Sequence, residues 1–99
     1  MPLISSLGDL IGLACDTSPY IYVYPWTTGF GSRYANPTTL PTGAANDIVF
    51  SPTNQIAIGF NDTIGVNTYP FDTTTGYGAK YTDPTAFNVA YGYGVTFSN

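Results

Sequence analysis

Residues 48–71 decide the fold. Ile48-Val49-Phe50-Ser51-Pro52-Thr53-Asn54 runs into Gln55-Ile56-Ala57-Ile58-Gly59-Phe60, and after Asn61-Asp62 the chain continues as Gly65-Val66-Asn67-Thr68-Tyr69-Pro70-Phe71. Three short segments rich in β-branched and aromatic residues, divided by Pro, Asn, Asp and Gly, predict successive strands joined by tight turns. Strand a is placed at 47–51, strand b at 55–60 and strand c at 65–71. The turn-forming residues 72–78 lead to a strand d at 79–82, stopped by Asp83-Pro84.

This unit occurs twice. An offset of 45 residues lays 3–26 on 48–71, with identities at Ser6/Ser51, Ile11/Ile56, Tyr24/Tyr69 and Pro25/Pro70. Leu3/Ile48, Ile4/Val49, Asp9/Asn54, Leu13/Ile58, Ala14/Gly59, Asp16/Asn61, Ile21/Val66 and Trp26/Phe71 are conservative matches. A two-residue insertion near residues 72–75 changes the offset to 47, which lays 29–38 on 76–85 and 48–51 on 95–98. The first copy therefore has strands at 3–6, 10–15, 20–26 and 32–35, and strand a recurs at 94–98. A repeat of 45 to 47 residues has the length of a propeller blade.

Composition agrees with an all-β chain. Among 99 residues there are fifteen Thr, nine Tyr, six Phe, eleven Gly and eight Pro, whereas Glu is absent. Such residues suit pleated strands and turns rather than helices. A single domain of this size buries a modest fraction of its surface, and the lone Cys15 forms no internal bridge, so tight packing and oligomerisation are the expected sources of stability. Charged residues make up 8% of the chain, far below an ordinary soluble domain, which suits a protein packed against neighbours.

The order Phe50-Ser51-Pro52, then Gln55-Ile56-Ala57-Ile58-Gly59, then Val66-x-x-Tyr69 resembles the strand order of WD-repeat-type β-propellers. Ser18-Pro19-Tyr20-Ile21-Tyr22-Val23-Tyr24-Pro25-Trp26, followed by Gly29-Phe30-Gly31, Tyr34 and Asn36-Pro37, is similar to propeller-like repeats in uncharacterised proteins of tailed phages. The chain departs from true WD-repeats in having neither a Trp-Asp dipeptide nor a Gly-His pair. The resemblance implies one all-β domain over residues 1–99, made of two four-stranded blades at about 3–47 and 48–99 plus an extra strand. Two blades are too few for a ring, so closure is expected from copies: three would give six blades and four would give eight. A small nine-strand β-sandwich is the alternative architecture.

The residue types argue against an enzyme. There is no His to activate Cys15 or a serine, and Arg33 and Lys80, the two cations, occupy equivalent positions where a solvated side chain or a surface ion pair is expected. Asp9, Asp16, Asp47, Asp62, Asp72 and Asp83 are scattered beside turn residues and lack an EF-hand spacing. The Gly-aromatic-Gly tracts lack the lysine and helix of a phosphate loop. No metal or cofactor is expected. A net charge of −4 gives no electrostatic footprint for nucleic acid. Leu10 to Cys15 is rejected as a secretion signal, because no cation precedes it and Asp9 interrupts it, and no apolar run is long enough to span a membrane.

Aromatic side chains offer the strongest binding potential. Tyr20, Tyr22, Tyr24 and Trp26 alternate with Ile21 and Val23, which places them on one strand face for packing between blades or for contact with a sugar or protein. Tyr20 and Tyr22, replaced by Gly65 and Asn67 in the second copy, are the better surface candidates, and Trp26, replaced by Phe71, is the better packing candidate. These readings combine into a non-enzymatic structural or adhesive subunit of a virion, as a capsid decoration, tail or fibre element. Its expected partners are its own copies, as a trimer or tetramer, or other virion proteins. A lectin-like glycan-binding module, extracellular or on the virion, is the alternative.

Overall fold

The computed structural model describes residues 9–62, 64–84 and 93–98. Within them the chain is all-β, with two antiparallel sheets and no helix. The first sheet pairs β1 (Leu10–Ala14) with β2 (Ile21–Pro25). The second is a meander in chain order: β3 (Ala45–Phe50), β4 (Gln55–Phe60), β5 (Val66–Asp72) and β6 (Gly76–Tyr77). Strands b and c of both repeats lie within a residue or two of their expected positions. The strand expected at 3–6 lies outside the described residues.

The repeat is present in the hydrogen-bond register itself. Leu10 faces Pro25, Gly12 faces Val23 and Ala14 faces Ile21 in the first sheet, while Gln55 faces Pro70, Ala57 faces Thr68 and Gly59 faces Val66 in the second. Each pair is the other moved by 45 residues. Beyond the turn, the bridge between Trp26 and Phe30 corresponds to the pairing of Phe71 with Tyr77, so the two inserted residues lengthen this hairpin alone. The connection before strand c repeats too. Cys15 N donates to Tyr20 O at 2.8 Å as Phe60 N donates to Gly65 O at 2.9 Å.

The segments expected as strand d take a different form, for a reason both repeats share. Gly31 N donates to Pro25 O at 2.7 Å and Gly78 N to Pro70 O at 2.8 Å, but a proline has no N–H to return the bond. The next donors are Tyr34 N to Val23 O at 3.0 Å and Tyr81 N to Thr68 O at 2.8 Å, three residues on for an acceptor only two residues back. This one-residue slip breaks the ladder, so 32–35 and 79–82 run beside strand c without forming a strand. The two-residue β6 takes the edge instead. The described residues 93–98 are likewise not a strand, although Val95 N donates to Asp47 Oδ2 at 3.1 Å.

Side chains directly opposite one another share a sheet face. On the second sheet Ile48, Ile58 and Asn67 therefore share a face with Phe50, Ile56 and Tyr69. This face packs against the first-sheet face that carries Leu10, Gly12, Ala14, Ile21 and Val23. A Cβ on Gly12 would stand 3.0 Å from Ile48 Cδ1 and 3.2 Å from Phe50 Cζ, so the missing side chain lets the sheets approach. Ile21, Val23, Phe50, Ile56, Ile58, Phe60, Tyr69 and Phe71 form one core spanning both repeats.

The buried Ser51, Asn67 and Tyr69 side chains are paired, whereas the buried Tyr77 Oη, packed against the same core, has no hydrogen-bond partner. Tyr69 Oη donates to the Thr39 carbonyl at 2.6 Å and accepts from Asn67 Nδ2 at 3.1 Å. Ser51 Oγ accepts from the backbone N–H groups of Thr53 and Gln55 and so closes the turn between β3 and β4. Each bond removes the cost of burying an unsatisfied group.

Candidate binding face

The first sheet turns its other side to solvent. Period-two alternation sends Ile21 and Val23 into the core at 1% and 0% exposure, and it sends Tyr22, Tyr24 and Trp26 outward with Ile11 and Leu13 from β1. Phe30 joins this group across the hairpin. Its ring meets Tyr24 edge-on at 5.0 Å and Trp26 edge-on at 5.1 Å, the arrangement that aromatic quadrupoles favour. The Arg33 guanidinium lies over Tyr22 at 5.1 Å from the ring centre and donates to Asn36 Oδ1 at 3.1 Å. The result is an aromatic surface bordered by one cation.

Tyr20 stands apart from that row. It precedes β2, has φ of 74°, and packs against the core. Its counterpart Gly65 has φ of 79°, so this position requires a left-handed backbone in both repeats. The local conformation, reached after a turn with a cis Ser18–Pro19 bond, removes Tyr20 from the alternation that aligns the other three rings. Phe30 is the surface ring that reading β2 alone misses. Its signal was the match of Gly29-Phe30-Gly31 with Gly76-Tyr77-Gly78, which fixes it opposite Trp26.

The residues weighed for chemistry have local structural roles. Cys15 is half-buried just past β1, with Sγ 3.4 Å from the Tyr20 carbonyl. Lys80 forms an ion pair with Asp83 at 2.7 Å, and the equivalent Arg33 makes the equivalent contact with Asn36. Asp72 Oδ1 accepts from the N–H groups of Thr74 and Thr75 and so builds the hairpin turn. Thr42 Oγ1 donates to Asp62. Among the described residues no group of three or more His, Cys, Asp or Glu could hold a metal ion. An open depression of about 310 Å³ lies beside the turn at Asn54, Pro70, Phe71, Asp72 and Gly76. No helix among the described residues is long and apolar enough to cross a membrane.

Comparison with known protein families, curated proteins and solved structures found no match. The physical character of the face is therefore the guide to its use. Its exposed members are large and apolar, with Leu13 at 43%, Trp26 at 38% and Phe30 at 59% exposure. Trp26 and Phe30 are in ring contact and Leu13 lies beside Tyr22 on the same face, and exposed apolar side chains sharing a face are of the kind that marks an interaction surface.

Burial raises Tyr69 from the ordinary 10.0 to about 12; the Asn67 hydrogen bond opposes the shift and Asp83 adds to it. Burial also raises Tyr77, with Tyr69 adding to the shift and Arg33 opposing it. Burial and then Asp72 raise Tyr34. All three rings stay neutral and serve as packing elements at ordinary pH.

Proposed function

We propose that this chain is a non-enzymatic structural subunit that joins a larger assembly through the outer face of its first sheet. The observation that carries the reading is the exposure of Leu13 on β1 and of Trp26 and Phe30 in the hairpin after β2, all on the outer side of the first sheet. Flat, pre-organised aromatic surfaces serve association well, because little side-chain freedom is lost on contact. The low charge of the chain supports a packed setting.

The four-stranded meander and the matching register of the first sheet support blades of a propeller type as the architecture. Three copies would supply six such blades and four would supply eight. The sequence resemblance to tailed-phage repeats supports a virion setting, as a decoration, tail or fibre element. Light scattering on the purified chain tests the assembly: a discrete mass of three or four chains is expected, and a chain that stays monomeric at high micromolar concentration overturns the reading. A glycan array provides the contrast, since sugar binding lost in Tyr22→Ala would assign the face to carbohydrate instead.

A further inference from the structure

The apolar outer face of the first sheet is bordered by one charge of each sign, and the second repeat keeps neither of them free. Arg33 lies over Tyr22 and donates to Asn36, a neutral residue. Its counterpart Lys80 is neutralised by Asp83, which stands where the first repeat has Asn36. Asp16, just past β1, is exposed, and its counterpart Asn61 is an amide that accepts from Asn46 Nδ2 at 2.7 Å. All eight charged side chains of the protein lie within the described residues, and Lys80 with Asp83 is the one ion pair among them. Arg33 and Asp16 therefore have no side-chain partner of opposite charge in their own chain.

These two charges flank the same end of the sheet from opposite sides. Tyr34 N bonds Val23 O, which holds Arg33 along the edge of β2 away from β1, and its guanidinium reaches back over Tyr22. Leu13 faces Tyr22 and Ala14 faces Ile21, so Asp16 continues the β1 side just beyond this end. Between them the face presents Leu13, Tyr22 and Tyr24, and it runs on to Trp26 and Phe30 at the far end.

Such a pattern is complementary to itself. Packed sheets keep their strand directions within about 30° of each other. A two-fold axis along the strands then lays β1 of one copy over β2 of the other, with the same ends together. Leu13 of each copy meets Tyr22 of its mate, and Asp16 of each approaches Arg33 of the other. The second sheet offers no competing face, because its side away from the first sheet is already covered at Ala57 and Gly59.

We propose that the outer face of the first sheet pairs with the same face of a second copy about this axis, with two Asp16–Arg33 ion pairs flanking the apolar contact. The inference rests on the assembly reading above and names its contact. An isologous contact closes on itself, so it gives two chains, or four where a second contact joins two pairs, and not three. The rings and Leu13 supply the affinity, and the ion pairs set the direction. Apolar faces alone could also stack with the strands reversed, an arrangement that leaves Asp16 and Arg33 at opposite ends without partners.

Charge reversal tests the contact at two positions that are exposed in the single chain. Asp16→Lys sets like charges at both flanks of a homodimer, as does Arg33→Glu, so each variant alone should associate at least about tenfold more weakly in sedimentation. An equimolar mixture of the two variants restores opposite charges at both flanks and should form dimers with nearly wild-type affinity.

The failures are distinguishable. A mixture that stays monomeric overturns the contact, and recovery in the chain carrying both substitutions would then place the ion pair within one chain. Oligomers that persist in both single variants, or a mass of three chains, also overturn it and leave the assembly reading standing. Monomers of the wild-type chain at every concentration overturn both.

Discussion

Truncating the same register position in each repeat separates the buried face from the open one. Ile58 and Leu13 are counterparts, yet Ile58 is 0% exposed within the core and Leu13 is 43% exposed. Ile58→Ala removes three carbons from between the sheets and leaves a cavity, which costs about 2–5 kcal/mol. A domain of this size loses about 4–8 °C of midpoint per kcal/mol, so the variant should melt at least about 8 °C lower. Full burial of a leucine side chain contributes about 1.5–3 kcal/mol, and Leu13 has nearly half of its surface in water, so Leu13→Ala should cost about 1 kcal/mol or less in the dilute single chain. Thermal and urea unfolding at concentrations where scattering shows monomer are the assay. At assembling concentrations Leu13→Ala should lose oligomer while Ile58→Ala loses fold. Equal midpoint losses in the dilute chain would refute the reasoning, because Leu13 would then already be covered without a second copy.

Other positions give sharp expectations. Gly65→Ala should destabilise by about 1 kcal/mol or more in urea titration, because its φ of 79° suits glycine, and an unchanged midpoint would contradict that backbone. Gly12→Val should cost about 1–3 kcal/mol by forcing Ile48 and Phe50 away from contacts already at 3.0 and 3.2 Å for a Cβ; wild-type stability would show that the sheets can part freely. Tyr69 has a folded pKa raised above its unfolded value, so the stability it contributes is complete below pH 10 and declines as pH rises toward about 12. Between those values the loss should approach about 1.4 kcal/mol per pH unit. Tyr69→Phe should flatten this slope in urea midpoints measured against pH, and an identical slope would place the titration elsewhere.

Strands b and c were legible because two independent signals agree on them. Alternation places Ile21 and Val23 opposite Tyr22 and Tyr24 in direction, and the offset of 45 predicts which residue of β4 or β5 replaces each one. The change of offset to 47 likewise marks the hairpin where Phe71 and Tyr77 stand two residues farther apart in sequence than Trp26 and Phe30. Strand d was not legible as it stands. Its residues have strand-like composition, but strand c presents Pro25 and Pro70 where a returning N–H is needed, and the ladder fails because of the neighbour rather than the segment itself. Tyr20 is a similar case, since nothing in a run of alternating tyrosines marks one of them as left-handed. The partner Gly65 was the available signal.

The side of each sheet that is buried was beyond the reach of repeat matching, and the functional conclusion depends on it. Equivalent positions have similar residues in the two copies, yet Val23 is buried where Thr68 is half-exposed, and Phe71 is buried where Trp26 is open. Similar side chains with opposite environments mean that burial here is set by which sheet face meets the other sheet, not by residue type alone. A residue such as Trp26 is then neither a surplus core residue nor an isolated surface ring. In the assembly proposed above it would be a core residue of a contact between chains, placed as Phe71 is placed within one. Exposed apolar area on a monomer is costly in solubility. If the proposed assembly reuses the contact formed inside the chain, that area would be buried with the geometry of Gly12 against Ile48 and Phe50 and of Tyr34 against Phe71.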